Sequence, residues 1–207
     1  MREADRIYTV AFTGRSGSGK SFAAGYFRKK GIPSIDCDLL AARVLKAGSG
    51  CLDELATAFG TDIINPDGKL NRRLLASRAF GSRESKHILD GITHPYILVE
   101  LKKEIDILQK AGERLCIIEA PALLESGLQE SVDSVVLFIS PESDLIARIV
   151  QRDAIDREDA GQRIKMQIEE SLLKEIADYI VYNNGTIPEF TGELDKLYGK
   201  LVEWSSI

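Results

Sequence analysis

The chain has 207 residues, of which 44% are hydrophobic, and it carries a formal net charge of −5. That length suits one globular unit with a substantial core. The acidic balance argues against a surface devoted to nucleic acid or to an anionic membrane, so neither is expected as a partner. The three cysteines are widely spaced and are expected to be free thiols. No signal peptide or membrane-spanning run is visible in the sequence, and we expect a cytoplasmic protein.

A glycine-rich segment near the N-terminus reads Gly14-Arg-Ser-Gly-Ser-Gly-Lys20-Ser21 and fits the phosphate-binding P-loop pattern. An apolar stretch at 7–13 precedes it as a strand, and residues 21–30 after it read as a helix, which is the context that the motif needs. Glycines let backbone N–H groups converge on an anion, and a helix N-terminus favours negative charge. Lys20 would supply a point charge for the β- and γ-phosphates, and Ser21 a hydroxyl for Mg²⁺. The motif predicts binding of a nucleoside triphosphate.

Strands and helices alternate along the chain, which predicts a parallel α/β sheet flanked by helices. The strand candidates are residues 7–13, 32–36, 115–119, 134–140 and 179–182. Between the second and third, the sequence predicts helices at 38–46, 51–59, 71–80, 84–92 and 95–111. Pro95 suits the first turn of the last of these. A crossover between parallel strands needs only about a dozen residues, so the segment 38–112 predicts a helical subdomain beside the sheet.

Charged residues dominate the segment 143–175, which follows the fourth strand candidate where a mobile lid would lie. Arg148 and Arg152 are one helical turn apart and share a face, a spacing that suits contact with phosphates. A solvated basic helix face would give the same pattern. The last helix carries an apolar stripe that predicts core packing, formed by Phe190, Leu194, Leu197, Leu201 and Trp204.

Acidic residues follow two of the strand candidates, at the edge where parallel sheets bind ligands. If the strand stays extended through Asp36 and Asp38, their carboxylates face one way and Cys37 faces the other. Either acid could orient an attacking hydroxyl for phosphoryl transfer or could cap the next helix, and the sequence leaves both open. Glu119 could lie near Mg²⁺ or have a structural role. A lone histidine such as His94 is more typical of capping or packing than of catalysis.

Taken together, these segments resemble the dephospho-CoA kinase family over nearly the whole chain. The matching motifs are the P-loop at 13–21, I-D-C-D-L-L-A-A-R at 35–43, D-G-K-L-N-R-R-L-L at 67–75, I-T-H-P-Y-I at 92–97, P-A-L-L-E at 121–125, the lid residues Arg148, Arg152, Asp153, Arg163 and Gln167, and A-D-Y-I-V-Y-N-N-G at 177–185. The P-loop alone is widespread, but the ordered set at these spacings is specific.

The resemblance implies that ATP, with Mg²⁺, phosphorylates the ribose 3′-hydroxyl of dephospho-CoA to give coenzyme A and ADP, the last step of coenzyme A biosynthesis. The fold implied is a P-loop NTPase of the nucleoside-monophosphate-kinase type. It comprises a core of about 1–37, 113–142 and 176–207, a helical acceptor-binding subdomain of about 38–112, and a lid of about 143–175.

The family pattern also implies roles for individual residues. Asp38 would be the base or the group that orients the acceptor hydroxyl, and Lys20 would act with it in catalysis. ATP would be bound by Gly14, Ser16, Gly17, Ser18, Gly19, Lys20, Ser21, Arg148 and Asn183, with Arg148 and Asn183 flanking the adenine. Arg43 and His94 would lie near the acceptor, Arg152 and Arg157 would belong to the lid, and Ser21 would bind the metal.

The chain departs from the family pattern at four positions. Phe22 stands where Thr is common, Cys37 where Ala is usual, Glu119 where Asp is frequent, and Ala122 where Leu is expected. The departure at Glu119 puts its role near Mg²⁺ in doubt. Two other functions remain open from the residues. One is a kinase for a nucleoside, a nucleotide or a sugar acid, and the other is a nucleotide-gated switch that hydrolyses slowly.

Overall fold

A computed structural model of the chain describes residues 6–205. Its sheet has five strands: β1 (Tyr8–Thr13), β2 (Ser34–Asp36), β3 (Leu115–Glu119), β4 (Ser134–Ile139) and β5 (Tyr179–Tyr182). The strand order is β2-β3-β1-β4-β5. The pairs of β1 with β3, β1 with β4 and β4 with β5 are parallel, in the register that aligns Val10 with Ile117 and Ser134. The predicted class, a parallel sheet flanked by helices, is confirmed.

The helices predicted at 21–30, 38–46, 51–59 and 71–80 and at the C-terminal end are present, and those predicted at 84–92 and 95–111 form one helix. Their bounds are α1 (Lys20–Lys29), α2 (Cys37–Val44), α3 (Gly50–Phe59), α4 (Arg72–Ala79), α5 (Arg83–Lys110), α6 (Glu142–Asp153), α7 (Arg157–Lys165), α8 (Glu170–Ile176) and α9 (Ile187–Trp204). Within residues 6–205, no helix combines the length and the apolar character needed to cross a bilayer.

The described chain forms two compact units, one of residues 6–35 and 105–205 and the other of residues 36–104. In the first unit, a core of aromatic and aliphatic side chains joins β1 and β4 to α1 and α9. The apolar stripe of α9 is part of this core, with Leu194, Leu197 and Leu201 fully buried and Trp204 packed against it. The prediction that this stripe packs in the core is confirmed. A smaller cluster joins α6 to α7 through Leu145, Ile149, Ala160 and Ile164.

The second unit is helical and has its own core. Its buried members are Val44, Cys51, Leu55, Ala56, Ile63, Leu75 and Ala79, contributed by α2, α3, α4 and the short helical turn after α3. Ser49 and Asn71 cap α3 and α4 by accepting backbone N–H groups, which satisfies donors that a helix start leaves open. The acceptor-binding role of this part of the chain stays a prediction.

The sequence predicted a helix break at Pro95, and this was wrong. Helix α5 runs without interruption through Pro95, from Arg83 to Lys110. A proline inside a helix removes one backbone hydrogen bond. Residues on both sides of Pro95, including Leu89 and Ile97, pack against the same core of the second unit, and this packing holds one continuous helix.

The chain does not stay extended through Asp38, which was the condition for placing Asp36 and Asp38 on one side and Cys37 on the other. Strand β2 ends at Asp36 and α2 begins at Cys37, so the alternation of sides stops there. The Asp36 carboxylate accepts the backbone N–H groups of Asp38 (2.8 Å) and Leu39 (3.3 Å). Asp36 is therefore the N-cap of α2, and the capping alternative holds for it.

Candidate active site

The loop between β1 and α1 is built on glycines that no other residue could replace without strain. Gly14 has φ +137°, and a Cβ there would collide with the carbonyl oxygen of Phe138. Gly19 has φ +105°, and a Cβ there would lie 2.6 Å from the Asn183 Nδ2 atom. Gly19 also stands at the N-cap position of α1 and has no side chain with which to cap it. The helix N-terminus is thereby suited to an external anion, as the P-loop motif predicts.

Lys20, the first residue of α1, has its side chain folded onto this loop. Its ammonium group donates to the carbonyl oxygens of Gly14 and Arg15, the latter at 3.0 Å, and lies 3.5 Å from the Ser18 hydroxyl. The residue is only 9% exposed. The Lys20 side chain is therefore held at the loop. The next residue, Ser21, is exposed in the first turn of α1.

Arg148 and Asn183 come from α6 and from the end of β5, and they meet at the P-loop. The Arg148 guanidinium donates to the carbonyl oxygen of Gly17 (3.0 Å) and to both the backbone and side-chain oxygens of Asn183. The Asn183 amide in turn donates to the carbonyl oxygen of Ser18 at 3.0 Å. The two residues that the family pattern pairs thus contact each other and the loop.

Ser140 completes this network, and the sequence reasoning missed it. Its hydroxyl accepts from Arg148 at 2.9 Å and donates to the Asn183 carbonyl at 2.7 Å. A signal was present, because Ser140 is the polar residue directly after β4, at the carboxyl edge where ligands bind. A second overlooked group is the Thr13 hydroxyl, which is buried at the end of β1 and has no hydrogen-bond partner among residues 6–205.

Two side chains from the predicted lid segment hold Ser16 of the P-loop. Arg152 donates to the Ser16 hydroxyl at 3.2 Å, and the Gln167 amide oxygen accepts the Ser16 backbone N–H at 3.0 Å. Arg157 differs from Arg152. It is exposed at the first residue of α7 and, in the described part of the chain, has no hydrogen bond or ion pair.

Asp153, the last residue of α6, joins two lid arginines. Its carboxylate accepts two hydrogen bonds from Arg152, at 2.7 and 2.9 Å, and another from Arg163. Hydrogen bonding to Arg152, reinforced by the charges of both arginines, lowers the pKa of Asp153 from 3.8 to about 2. The carboxylate is therefore ionised at any physiological pH.

The strand-end acids differ in their surroundings. Asp38 is exposed in the first turn of α2, whereas Asp36 is engaged as its cap. Glu119, at the end of β3, is 5% exposed and accepts a hydrogen bond from Arg28 at 3.1 Å. This contact fits a structural role for Glu119, and its predicted role near Mg²⁺ stays a prediction.

The predicted acceptor residues Arg43 and His94 both belong to the helical unit. Arg43 on α2 forms ion pairs with Glu104 and, at 3.5 Å, with Glu100 of α5. The hydrogen bond that Arg43 donates to Glu104 is the main cause of the raised pKa of Arg43. His94 lies one turn from Asp90 on α5, with 3.8 Å between its Nε2 atom and the carboxylate. Their contact with an acceptor stays a prediction.

Two clefts adjoin the Arg148–Asn183 network. One, of about 370 Å³, is lined by Arg15, Ser140, Glu142, Glu170, Tyr182 and Asn184, among others. The other, of about 490 Å³, lies between Tyr182, Asn184 and the start of α9. Their volumes are in the range of small-ligand sites. Among the described residues, no group of three or more His, Cys, Asp or Glu side chains could hold a metal ion.

Comparison with known proteins identifies the family. The family model for dephospho-CoA kinase matches residues 8–189, which is most of the chain. The chain belongs to the dephospho-CoA kinase family. The resemblance of the ordered motifs is thereby confirmed, and a slow nucleotide switch or a kinase of another family is not favoured.

Relatives and solved structures agree with this assignment. The dephospho-CoA kinase of Corynebacterium efficiens is 34% identical over 193 residues, covering 93% of this chain and 96% of that protein. A structure of dephospho-CoA kinase from Campylobacter jejuni aligns with a TM-score of 0.69 at 26% identity, covering 93% of this chain and 96% of that one. A protein structure from Thermus thermophilus aligns with a TM-score of 0.80 at 28% identity over 95% and 98% of the two chains.

Proposed function

We propose that this protein transfers the γ-phosphoryl group of ATP to the ribose 3′-hydroxyl of dephospho-CoA, producing coenzyme A and ADP. The observation that carries the proposal is the family match over residues 8–189, which includes the complete P-loop. The contacts of Lys20, Arg148 and Asn183 with that loop support ATP as the phosphoryl donor.

Lys20 and the loop would stabilise the phosphates electrostatically. Phosphoryl transfer places charge on the oxygens of the transferred group, and preorganised donors lower the energy of that state most effectively. The Lys20 ammonium lies at the loop, where it donates to backbone carbonyls, and it would exchange these contacts for phosphate oxygens when ATP binds. Arg148 and Asn183 would lie on either side of the adenine, beside the clefts described above. Arg152 and Arg157 would act with the lid.

Asp38 would orient the acceptor hydroxyl or accept its proton. In the transfer, a bond forms between the 3′-oxygen and the γ-phosphorus, the bond from that phosphorus to the β,γ-bridging oxygen breaks, and the hydroxyl proton is released. The cap formed by Asp36 supports Asp38 as the acting acid, because the Asp36 carboxylate accepts the backbone N–H groups at the start of α2, a role that Asp38 does not have. Arg43 and His94 would contact the acceptor.

Mg²⁺ would accompany ATP and neutralise phosphate charge. Magnesium typically takes one or two protein oxygens together with substrate phosphates rather than a cage of side chains. The exposed Ser21 hydroxyl, adjacent to Lys20, fits that donor set. We also propose a cytoplasmic location and no nucleic-acid or membrane partner, which the acidic net charge and the three widely spaced cysteines support.

An acceptor panel tests the function directly. The purified protein is incubated with ATP and Mg²⁺ and either dephospho-CoA or one of several nucleosides, nucleotides and sugar acids, and ADP release is measured. We expect that, of all the acceptors, only dephospho-CoA accelerates ADP release. The product should carry one added phosphate at the 3′-oxygen. Faster transfer to another acceptor, or slow release that ignores every acceptor, would overturn the proposal.

A further inference from the structure

The end of α6 carries residues that local rules disfavour. A helix C-terminus bears partial negative charge, so an aspartate at its last residue is unfavourable there, yet Asp153 holds that position. Ala154 follows with φ +52° and is the only non-glycine with positive φ among residues 6–205. Such a conformation costs about 1–3 kcal/mol and persists where the surroundings impose it. Both features coincide at the turn between α6 and α7.

The surroundings of Asp153 offset the unfavourable position of its charge. Its side chain is 23% exposed and sits between two guanidinium groups, Arg152 from the same helix and Arg163 from α7. The pair with Arg152 is bidentate, through Nε and Nη2, which fixes the plane of the guanidinium as well as its position. One carboxylate thus holds two arginines of the predicted lid in place.

The fixed arginine reaches the P-loop. Nη2 of Arg152 also donates to the Ser16 hydroxyl at 3.2 Å. The Nη1 group of Arg152 has no hydrogen-bond partner in the described part of the chain. Because an arginine carries five N–H donors in a rigid fork, Nε and Nη2 anchor this one while the two donors of Nη1 are left for another acceptor. At a phosphate-binding loop, the acceptor of matching charge is a phosphoryl oxygen.

We propose that Asp153 is a positioning residue for phosphoryl transfer, which fixes Arg152 against Ser16 so that its outer N–H groups contact the transferring phosphoryl group. The inference rests on the proposed function of the P-loop as the ATP site. In this proposal Asp153 affects kcat through Arg152. Arg163, which also donates to the Asp153 carboxylate, helps to hold that carboxylate in place. A merely structural Asp153 would stabilise the α6–α7 turn without this coupling.

The two roles predict different kinetics for Asp153→Asn, which keeps the shape and removes the charge. Loss of a negative charge near the loop increases the attraction for ATP, so KM for ATP should stay the same or fall. Without the Asp153 charge, the Arg152 guanidinium should lose its fixed orientation. This should lower kcat by about 10- to 100-fold, the size expected when a group is misplaced by about an ångström. Asp153→Glu, which retains the charge, should recover most of the loss.

A double-mutant cycle tests whether Asp153 acts through Arg152. Arg152→Ala should lower kcat on its own, and Asp153→Asn should lower it less than about twofold further in that background, because the interaction is already lost. As a matched control, Asp156→Ala removes the cap of α7, whose carboxylate accepts the Asp159 backbone N–H at 2.8 Å. This control weakens the same segment and should change kcat far less than Asp153→Asn does.

Several outcomes would overturn the inference: a near-normal kcat in Asp153→Asn or in Arg152→Ala, full additivity of the two changes, or an equal loss in Asp156→Ala. Thermal unfolding of each variant identifies misfolding. If Asp153→Asn fails to fold, Arg163→Ala tests the ion pair between Arg163 and Asp153 by the same readouts. A wild-type protein inactive with dephospho-CoA would contradict the proposed function instead. Normal wild-type activity with an unaffected Asp153→Asn would contradict this inference alone.

Discussion

The carboxylate of Asp36 accepts the backbone N–H of Asp38 at 2.8 Å, and this contact separates the roles of two acids that stand two residues apart. Asp36 is engaged in starting α2, while the Asp38 side chain is exposed in its first turn. The hydrogen bond therefore gives a physical basis for testing the two residues against each other.

Asp38→Asn should lower kcat with dephospho-CoA by about 10²- to 10⁴-fold, the usual worth of general-base assistance. Affinity for ATP should change little, because we propose that the P-loop, and not Asp38, contacts the phosphates. Asp36→Asn is the matched control, and since Asn caps helices about as well as Asp, its kcat and stability should stay near wild type. Steady-state kinetics and thermal unfolding measure both. A large loss in Asp36→Asn alone would move the catalytic assignment to Asp36.

Lys20→Ala should lower kcat by about 100-fold or more, a loss of about 3 kcal/mol in transition-state stabilisation. The ammonium is expected to interact more strongly with the transferring phosphoryl group than with bound ATP. Lys29→Ala, an exposed lysine at the end of the same helix, is the control and should be near wild type. Rates measured with saturating substrates give kcat for both variants. A near-normal kcat in Lys20→Ala would show that Lys20 has no part in the mechanism.

Gly19→Ala should disrupt the loop, because the new Cβ would lie 2.6 Å from the Asn183 Nδ2 atom in a backbone conformation with φ +105°. We expect a stability loss of about 1–3 kcal/mol and a large loss of activity. Gly192→Ala on α9 is the contrast, since a Cβ there meets no described heavy atom within 4 Å. It should raise stability by about 0.5–1 kcal/mol. Denaturant unfolding measures both, and equal effects would contradict the steric argument.

Cys37 should be the first thiol to react with an alkylating reagent in the folded protein. Cys51 and Cys116 are buried, and burial raises the pKa of the Cys51 thiol to about 11, whereas Cys37 is half-buried. Cys37→Ala should remove the fast phase and leave activity within a few-fold of wild type. Mass spectrometry over time counts the labels. A fast phase that persists in Cys37→Ala would show that a buried cysteine becomes accessible.

The stabilising effect of Asp153 should depend on pH in a narrow acidic window. Its pKa is about 2 in the folded protein, below the ordinary value of 3.8, mainly because of the hydrogen bonds from Arg152. A lowered carboxyl pKa stabilises the fold above the ordinary value, and this contribution is lost as pH falls from about 4 to about 2. The difference in unfolding free energy between wild type and Asp153→Asn should shrink over that interval. If the difference in unfolding free energy does not change with pH, the ion pairs of Asp153 with Arg152 and Arg163 do not stabilise the fold.

The sequence by itself determined the P-loop, the parallel sheet and the family. The P-loop depends on residues adjacent in the chain, whose glycines and lysine define the loop conformation locally, and alternating strands and helices predict the sheet. The strand β5 and the buried stripe of α9 follow from local periodicity in the same way.

Where the local sequence allowed more than one structure, only the tertiary structure decided which one formed. Both Asp36 and Asp38 could cap a helix, and the end of β2 selected Asp36. Pro95 could start a helix, but packing on both sides onto one core kept α5 continuous. The contacts of Ser140 with Arg148, and of Arg152 with Ser16 over 136 residues of sequence, depend on long-range packing, which no spacing along the chain encodes.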